Sequence, residues 1–395
     1  MLSKRVFPYF QPIMAADTND IYSYEALGRY EDDDGEVKSL GDFFSDKSVS
    51  RADALSVDRV VRKLALEKFA REGGEQYLFI NLRLDWIDNF NENPEEAPTV
   101  KWAREFGVDL KKIVIEITEE EFFADKETVA DIINYYRKIG CRIAIDDYGK
   151  GASDIDRLAM ISPDILKIDM DCIHKSEQSY HYREYIKSIS SFAERVGIEV
   201  LYEGIENQAQ LDFCIGAKGR YYQGFLLAKP QPSIRDASAD RETFISSACR
   251  LVTALHEKSE RVNARREQWD LKVEEFFEKR AFDYNNENIN DYFSQMLAEL
   301  SPQIKRIFLC NRWGEQLSYN IETRSGGVKL SDCRHRNWSW RGYFQESMII
   351  LDAGLKSHLT PVYRDVTAKE KIYTYIRPIN RNIYLFIDIL HAEGG

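Results

Sequence analysis

The stretch CRIAIDDYGKGASDIDRLAMISPDILKID, residues 141–169, sets the pattern from which the fold is read. Two apolar runs, Cys141-Arg142-Ile143-Ala144-Ile145 and Ile165-Leu166, each end on charged groups, Asp146-Asp147 and Lys167. A helix-compatible segment lies between them. The same arrangement recurs outward in both directions. Ile21-Tyr22-Ser23-Tyr24 precedes Glu25, Tyr77-Leu78-Phe79-Ile80 precedes Asn81, and Ile113-Val114-Ile115 precedes Glu116. Further on, Ile198-Glu199-Val200-Leu201-Tyr202 precedes Glu203 and Glu206, and Arg220-Tyr221-Tyr222 precedes Gln223. Strands alternating with helices imply an α/β fold with a largely parallel sheet. Closed into a TIM-like (β/α)8 barrel, such a sheet brings its strand ends to one rim, and sequence order becomes circular order.

Each acid taken singly is equally explained as a strand cap or half of a surface ion pair. Taken together, the acids would repel one another unless protons or cations neutralised them, and only Lys167 in the series is cationic. Bound divalent metal resolves the conflict. Glu25, Asn81, Glu116 and Asp146 offer only oxygen ligands, which suit Mg²⁺ or Mn²⁺ better than zinc. An unrelated barrel enzyme working on a sugar with two carboxylates would account for the acids, but not for Asn81 or Lys167.

These residues also carry a family resemblance. Tyr24-Glu25-Ala26-Leu27-Gly28-Arg29 contains the Glu-Ala-Leu signature of the EAL domain, a bacterial cyclic di-GMP phosphodiesterase or receptor module. Phe10-Gln11-Pro12-Ile13, Ile80-Asn81-Leu82, Glu116-Ile117-Thr118-Glu119, Asp146-Asp147-Tyr148-Gly149 and Leu166-Lys167-Ile168-Asp169 are similar to that family in the same order. So are Glu203-Gly204-Ile205-Glu206, Gln223-Gly224-Phe225 and Lys229-Pro230, so that the resemblance spans about residues 5–235.

The resemblance implies metal-dependent hydrolysis of cyclic di-GMP to linear pGpG, or alternatively a slow or silent receptor of the same nucleotide. It implies a first metal held by Glu25, Asn81, Glu116 and Asp146. Asp146 would bridge to a second metal held with Asp147 and Glu203. Lys167 and Glu203 take catalytic roles in this reading. Gln11, Leu27, Arg29, Asp147, Glu206, Gln223 and Pro230 contact the nucleotide, and Glu119 anchors the loop that follows Asp147. That loop departs from the family pattern, with Lys150 in place of a small residue or Thr and Ala152 in place of an aromatic.

Composition points the same way. With 395 residues the chain has room for two domains, and its formal charge of -12 argues against a DNA or RNA polymer or an anionic membrane as partner. No run approaches the roughly 20 apolar residues of a membrane span, and the start, Met1-Leu2-Ser3-Lys4-Arg5, lacks a signal-peptide core. A cytoplasmic protein is the expectation. The six dispersed cysteines predict buried free thiols and not a zinc site or a disulfide framework.

The barrel domain is expected over 1–235 and a helical linker over 236–300, which holds no Gly or Pro. Ala248, Leu255, Val262, Trp269 and Phe276 recur every seven residues, but Lys258, Arg265 and Lys272 interrupt a simple coiled coil. Packing along its own domain and a homodimer seam both remain open for this helix. Residues 301–395 read as strands and turns of an α+β domain. Its Asn337–Phe344, Tyr363-Arg364-Asp365 and Ile383–Ile389 segments resemble the PAS-like, Cache-related domain that follows the EAL module in some bacillar proteins. Arg341, Tyr343, Tyr363 and Asp365 are candidates there for contact with an unknown small molecule, and a protein partner is the other expectation.

Overall fold

The computed structural model describes residues 5–83, 94–118, 126–150, 155–280, 289–300, 302–324, 327–366 and 368–391. Contacts divide the chain into two compact units, Met1–Thr253 and Ala254–Gly395.

The first unit begins with a hairpin of β1 (Val6–Ala15) and β2 (Asp20–Glu31), followed by a short β3 (Val37–Ser39) and helices α1 (Gly41–Ser45) and α2 (Arg51–Glu72). Ser50 caps α2 by accepting a 3.1 Å bond from the Asp53 amide. Then β4 (Tyr77–Asn81), α3 (Pro98–Phe106), β5 (Ile113–Thr118), α4 (Lys126–Lys138), β6 (Arg142–Tyr148), α5 (Ile155–Ile161) and β7 (Ile165–Ile168) alternate. The alternation continues through α6 (Met170–Gln178), α7 (Tyr180–Val196), β8 (Glu199–Tyr202), α8 (Gln208–Gly216) and β9 (Tyr221–Tyr222).

The sheet order is β1-β9-β8-β7-β6-β5-β4-β2-β3, and a β1–β2 pairing closes it into a barrel. One departure from a uniform (β/α)8 pattern is that β1 runs antiparallel to both β2 and β9. Only the turn through Asn19, at φ 53°, joins β1 to β2. A connection that short permits an antiparallel pair and nothing else.

Strand periodicity places the rim. Ile13, Phe79, Val114, Ala144, Ile165, Leu201 and Tyr221 form one buried apolar cluster from seven strands. Alternate residues of a strand share a face. Two residues past Phe79, Val114, Ala144, Ile165, Leu201 and Tyr221 stand Asn81, Glu116, Asp146, Lys167, Glu203 and Gln223. In the reversed β1 the corresponding residue is two before Ile13, namely Gln11. An apolar floor thus lies beneath a polar layer. A larger cluster, including Leu78, Ile80, Ile115, Ile143, Ile145 and Leu166 with helix residues such as Leu66, Ile132 and Ile186, fills the space between sheet and helices. Burying each such side chain contributes about 1.5–3 kcal/mol, which offsets the cost of desolvating the polar layer.

The second unit is built on the part of helix α9 (Arg241–Lys279) that follows Thr253, on α10 (Ile289–Leu300) and on strands β10 (Ile304–Asn311), β11 (Asn320–Arg324) and β12 (Gly327–Ser331). It is completed by α11 (Gly342–Asp352), β13 (His358–Leu359), β14 (Tyr363–Arg364), β15 (Lys371–Pro378) and β16 (Ile383–Leu390). The antiparallel sheet runs β12-β11-β10-β16-β15-β13, with β14 beside β15. One face packs Ile307, Leu309, Leu385 and Ile387 against Trp269, Val273, Phe276, Phe293 and Met296. The other packs Phe308, Cys310 and Phe386 against Phe344 and Leu351.

The helical stretch expected to act as a linker is therefore divided. Trp269 and Phe276 belong to the core of the second unit, whereas Leu255 and Val262 of the same seven-residue series are 55% and 37% exposed. An ideal helix drifts about 20° per heptad, so the series does not hold one buried stripe over its whole length. All six cysteines are free; five are buried and Cys249 is exposed. No helix among the described residues is long and apolar enough to cross a membrane.

Candidate active site

Lys167 is the centre of the rim. It is 1% exposed, and its Nζ lies 2.5 Å from Glu116, 2.6 Å from Glu203, 2.9 Å from Asp146 and 3.6 Å from Glu25. Burial works against its charge, but Asp146, Glu116, Glu203 and Glu25 together hold its pKa well above the usual lysine value. One ammonium group does not neutralise four carboxylates. Burial first, then the charge of Glu25, pushes the Glu116 carboxyl well above its ordinary range. Burial does the same to Glu203, with Lys167 opposing and Asp146 assisting. Glu116 Oε1 is engaged by the Lys167 ammonium group.

Oxygens of Glu25, Glu116 and Asp146 lie within 4.8 Å of one another, and so do oxygens of Asp146, Asp147 and Glu203. Two carboxylate triads therefore share Asp146. Asn81 adjoins the first through a 3.2 Å bond from its Nδ2 to Glu116 Oε2. Excess buried carboxylate and all-oxygen donors fit hard divalent cations.

The backbone at Asp147 has φ 57°, uncommon outside glycine, and its carboxylate groups with those of Asp146 and Glu203. Burial, followed by repulsion from Asp146, raises its pKa to about 6, with Lys150 opposing. Lys150 Nζ stands 3.7 Å from Asp147 Oδ2.

A cavity of about 230 Å³ opens over this layer and is lined by Gln11, Glu25, Asp146, Lys167, Glu203, Glu206 and Gln223 among others. Gln223 Nε2 donates to Glu25 at 2.7 Å and to Gln11 at 3.3 Å, while Gln11 Nε2 donates to the Ala228 carbonyl at 3.1 Å. Gln223 Oε1 is buried without a hydrogen-bond partner among the described residues. Glu206 is half exposed, 3.7 Å from His174 Nε2. At Gly224 a Cβ would sit 2.1 Å from the Ile205 carbonyl oxygen, so only glycine lets these two rim loops touch.

Leu27 and Arg29 lie apart from that cavity. They line a second hollow of about 280 Å³ together with Asn81, which joins the two groups. Pro230 lines neither of these two hollows and stands beside the Phe10–Gln231 bridge. Glu119 and Ala152 lie outside the described residues.

Three residues were given no role by the sequence reading. Asp58 lines the second hollow, paired with Arg62, and reaches it from α2, where nothing local marks it. Asp169 caps α6 by accepting a 2.8 Å bond from the Asp171 amide, and its charge adds to the rise of the Asp147 pKa. Phe225, 55% exposed, lines the first cavity. In the second unit, Arg341, Tyr343 and Tyr363 line a hollow of about 360 Å³ with the guanidinium 5.3–5.4 Å from the rings. Asp365 is not among that hollow's lining residues; it is buried and paired with Arg306.

Residues 1–230 match the sequence profile of the EAL domain. The chain belongs to the EAL family. Residues 236–392 match an EAL-domain associated signalling protein domain, so both halves have relatives in the same order. The EAL-domain containing protein YkuI of Bacillus subtilis is 33% identical over 394 residues, covering 98% of this chain and 95% of its own. The YkuI crystal structure in complex with substrate c-di-GMP and calcium has a TM-score of 0.89 at 30% identity, over 99% of this chain and 97% of that one. A standalone EAL protein of Vibrio cholerae in its c-di-GMP-bound form is 28% identical with a TM-score of 0.52, covering 60% of this chain and 97% of its own. PdeB of Escherichia coli, a probable cyclic di-GMP phosphodiesterase, is 29% identical over 229 residues, 57% of this chain and 42% of its own.

Proposed function

We propose that the EAL barrel binds cyclic di-GMP and, with Mg²⁺ or Mn²⁺, hydrolyses it to linear pGpG. The observation that carries this reading is the pair of carboxylate triads sharing Asp146 around buried Lys167, beneath a cavity that the amides of Gln11 and Gln223 also line. Nucleotide-bound relatives support the choice of ligand.

Glu25, Asn81, Glu116 and Asp146 would hold one cation, and Asp146, Asp147 and Glu203 a second. Divalent ions bound there supply the charge that acidifies water and neutralises a phosphodiester. Lys167 holds its proton against the carboxylates and orients water or a phosphoryl oxygen above Glu203 and Asp146. Gln11 and Gln223 present amide edges to the nucleotide without changing the site's charge. Arg29, in the neighbouring hollow, offers a planar donor fork to the other phosphate or to a guanine edge. Incubating the protein with cyclic di-GMP and Mn²⁺, then separating the nucleotides by chromatography, tests turnover; calorimetry with Ca²⁺ tests binding alone. No heat of binding in the presence of metal would end this reading.

A receptor with little turnover is the second reading. The contact between Lys150 and Asp147 favours it, since it engages a carboxylate that hydrolysis needs free. We further propose that the second unit regulates the first through a small ligand at the hollow beside Arg341, Tyr343 and Tyr363. Cyclic di-GMP would then alter hydrogen exchange in residues 337–344, because coupling between sites is reciprocal. Identical exchange with and without nucleotide would leave that unit a docking module.

A further inference from the structure

We infer that Lys150 is a built-in competitor for the second divalent cation, its ammonium group standing on the open side of the Asp146–Asp147–Glu203 triad. The site then holds one ion firmly and a second only weakly. This inference rests on the metal-binding reading of the rim, and deepens it.

Three observations place Lys150 there. The left-handed backbone at Asp147 and the positive φ of Gly149, 95°, fold the chain back so that the Lys150 amide donates to the Asp147 carbonyl at 3.2 Å. This tight turn brings Lys150 Nζ to 3.7 Å from Asp147 Oδ2. From the buried side Lys167 already touches the other two members of the triad, Asp146 at 2.9 Å and Glu203 at 2.6 Å. The triad is therefore approached by a cation from within and by another from solvent.

The position of the contact makes it consequential. Asp147 is the most exposed member of the triad, and the Lys150 ammonium group lies at the carboxylate through which a second cation would be held. The Lys150 side chain is 54% exposed on a flexible four-carbon stem, so it competes and does not block. As an exposed pair it adds little to folding stability. Its effect falls on a doubly charged guest at the same carboxylate, where a unit charge a few ångströms away changes affinity roughly tenfold.

The test is Mn²⁺ binding to the full chain, followed by calorimetry and by electron paramagnetic resonance of free Mn²⁺, with no turnover in the readout. Wild type should bind one Mn²⁺ tightly and a second weakly. In Lys150→Gln the second step should tighten about tenfold and the first change less than about twofold, while Lys150→Arg, which keeps the charge, should resemble wild type. Glu203→Gln in the Lys150→Gln background should abolish the tightened step, which locates it. Raising KCl to 0.5 M should shrink the difference, because both side chains of the pair are partly exposed and salt screens such contacts. Two equally tight ions in wild type, or a Lys150→Gln protein whose two steps are unchanged or tighten together, would overturn the inference. Neither result touches nucleotide binding, measured separately with cyclic di-GMP and Ca²⁺; loss of that binding would count against the proposed function instead.

Discussion

Replacing Lys167 by Met keeps the length and apolar stem of the side chain and removes its charge, leaving Glu25, Glu116, Asp146 and Glu203 with no cation among them. All four carboxylates lie within 3.6 Å of the lost ammonium group, and Glu116 is wholly buried. Removing one partner of a buried ion pair costs about 3–5 kcal/mol. At roughly 2–4 °C per kcal/mol for a unit of this size, the barrel should melt about 6–20 °C lower than wild type in EDTA at pH 8. The pH dependence has a definite sign. Glu116 and Glu203 have pKa values raised by folding, so between their unfolded and folded values the folded state holds protons that the unfolded chain has released. Loss of Lys167 raises them further, so the deficit should shrink as pH falls toward 5 and grow as pH rises. Millimolar Mn²⁺ should recover part of the stability at pH 8, since a bound ion replaces the missing charge. Differential scanning calorimetry with and without metal measures all three. A Lys167→Met protein that melts within about 2 °C of wild type in EDTA at pH 8, or whose deficit is the same at pH 5 and pH 8, would refute the view that Lys167 neutralises a charged carboxylate layer.

Glu203→Ala should abolish turnover and leave cyclic di-GMP affinity within about one order of magnitude, because Gln11, Gln223 and Arg29 remain; Glu25→Ala should weaken metal-dependent binding and rate together, and calorimetry beside a chromatographic assay separates the two. Cation binding must expel protons from Glu116, Glu203 and Asp147, the last titrating at about 6, so Mn²⁺ affinity should rise between pH 5 and 7.5 and proton release should appear as buffer-dependent heats. Gly224→Ala forces a Cβ to 2.1–2.5 Å from Ile205 backbone atoms and should destabilise the barrel by about 2–4 kcal/mol in urea titrations, with loss of nucleotide binding even where the protein stays folded.

The amino-acid sequence alone determined the barrel, its polar rim and the family, because each rests on local regularities. A strand alternates its faces every second residue, so an apolar residue followed two places later by a polar one, as in Phe79 and Asn81 or Val114 and Glu116, marks a floor and a rim without any knowledge of the fold. Repeated around a closed sheet, that local rule brings residues 217 apart, such as Gln11 and Ala228, into contact. What the rule does not contain is anything decided by approach from outside the strands. The antiparallel course of β1 follows from the brevity of its turn, the place of Asp58 at the second hollow from how α2 lies on the sheet, and the pairing of Asp365 with Arg306 from β10 meeting the loop after β14. The division of α9 is of the same kind: Trp269 and Leu255 share a heptad position, and only the docking of the second sheet buries one and leaves the other in water. Lys150 is the functional case. In sequence it is one charge in a loop, and it becomes a competitor for a cation only because a left-handed Asp147 and Gly149 turn its ammonium group back onto the carboxylate three residues before it.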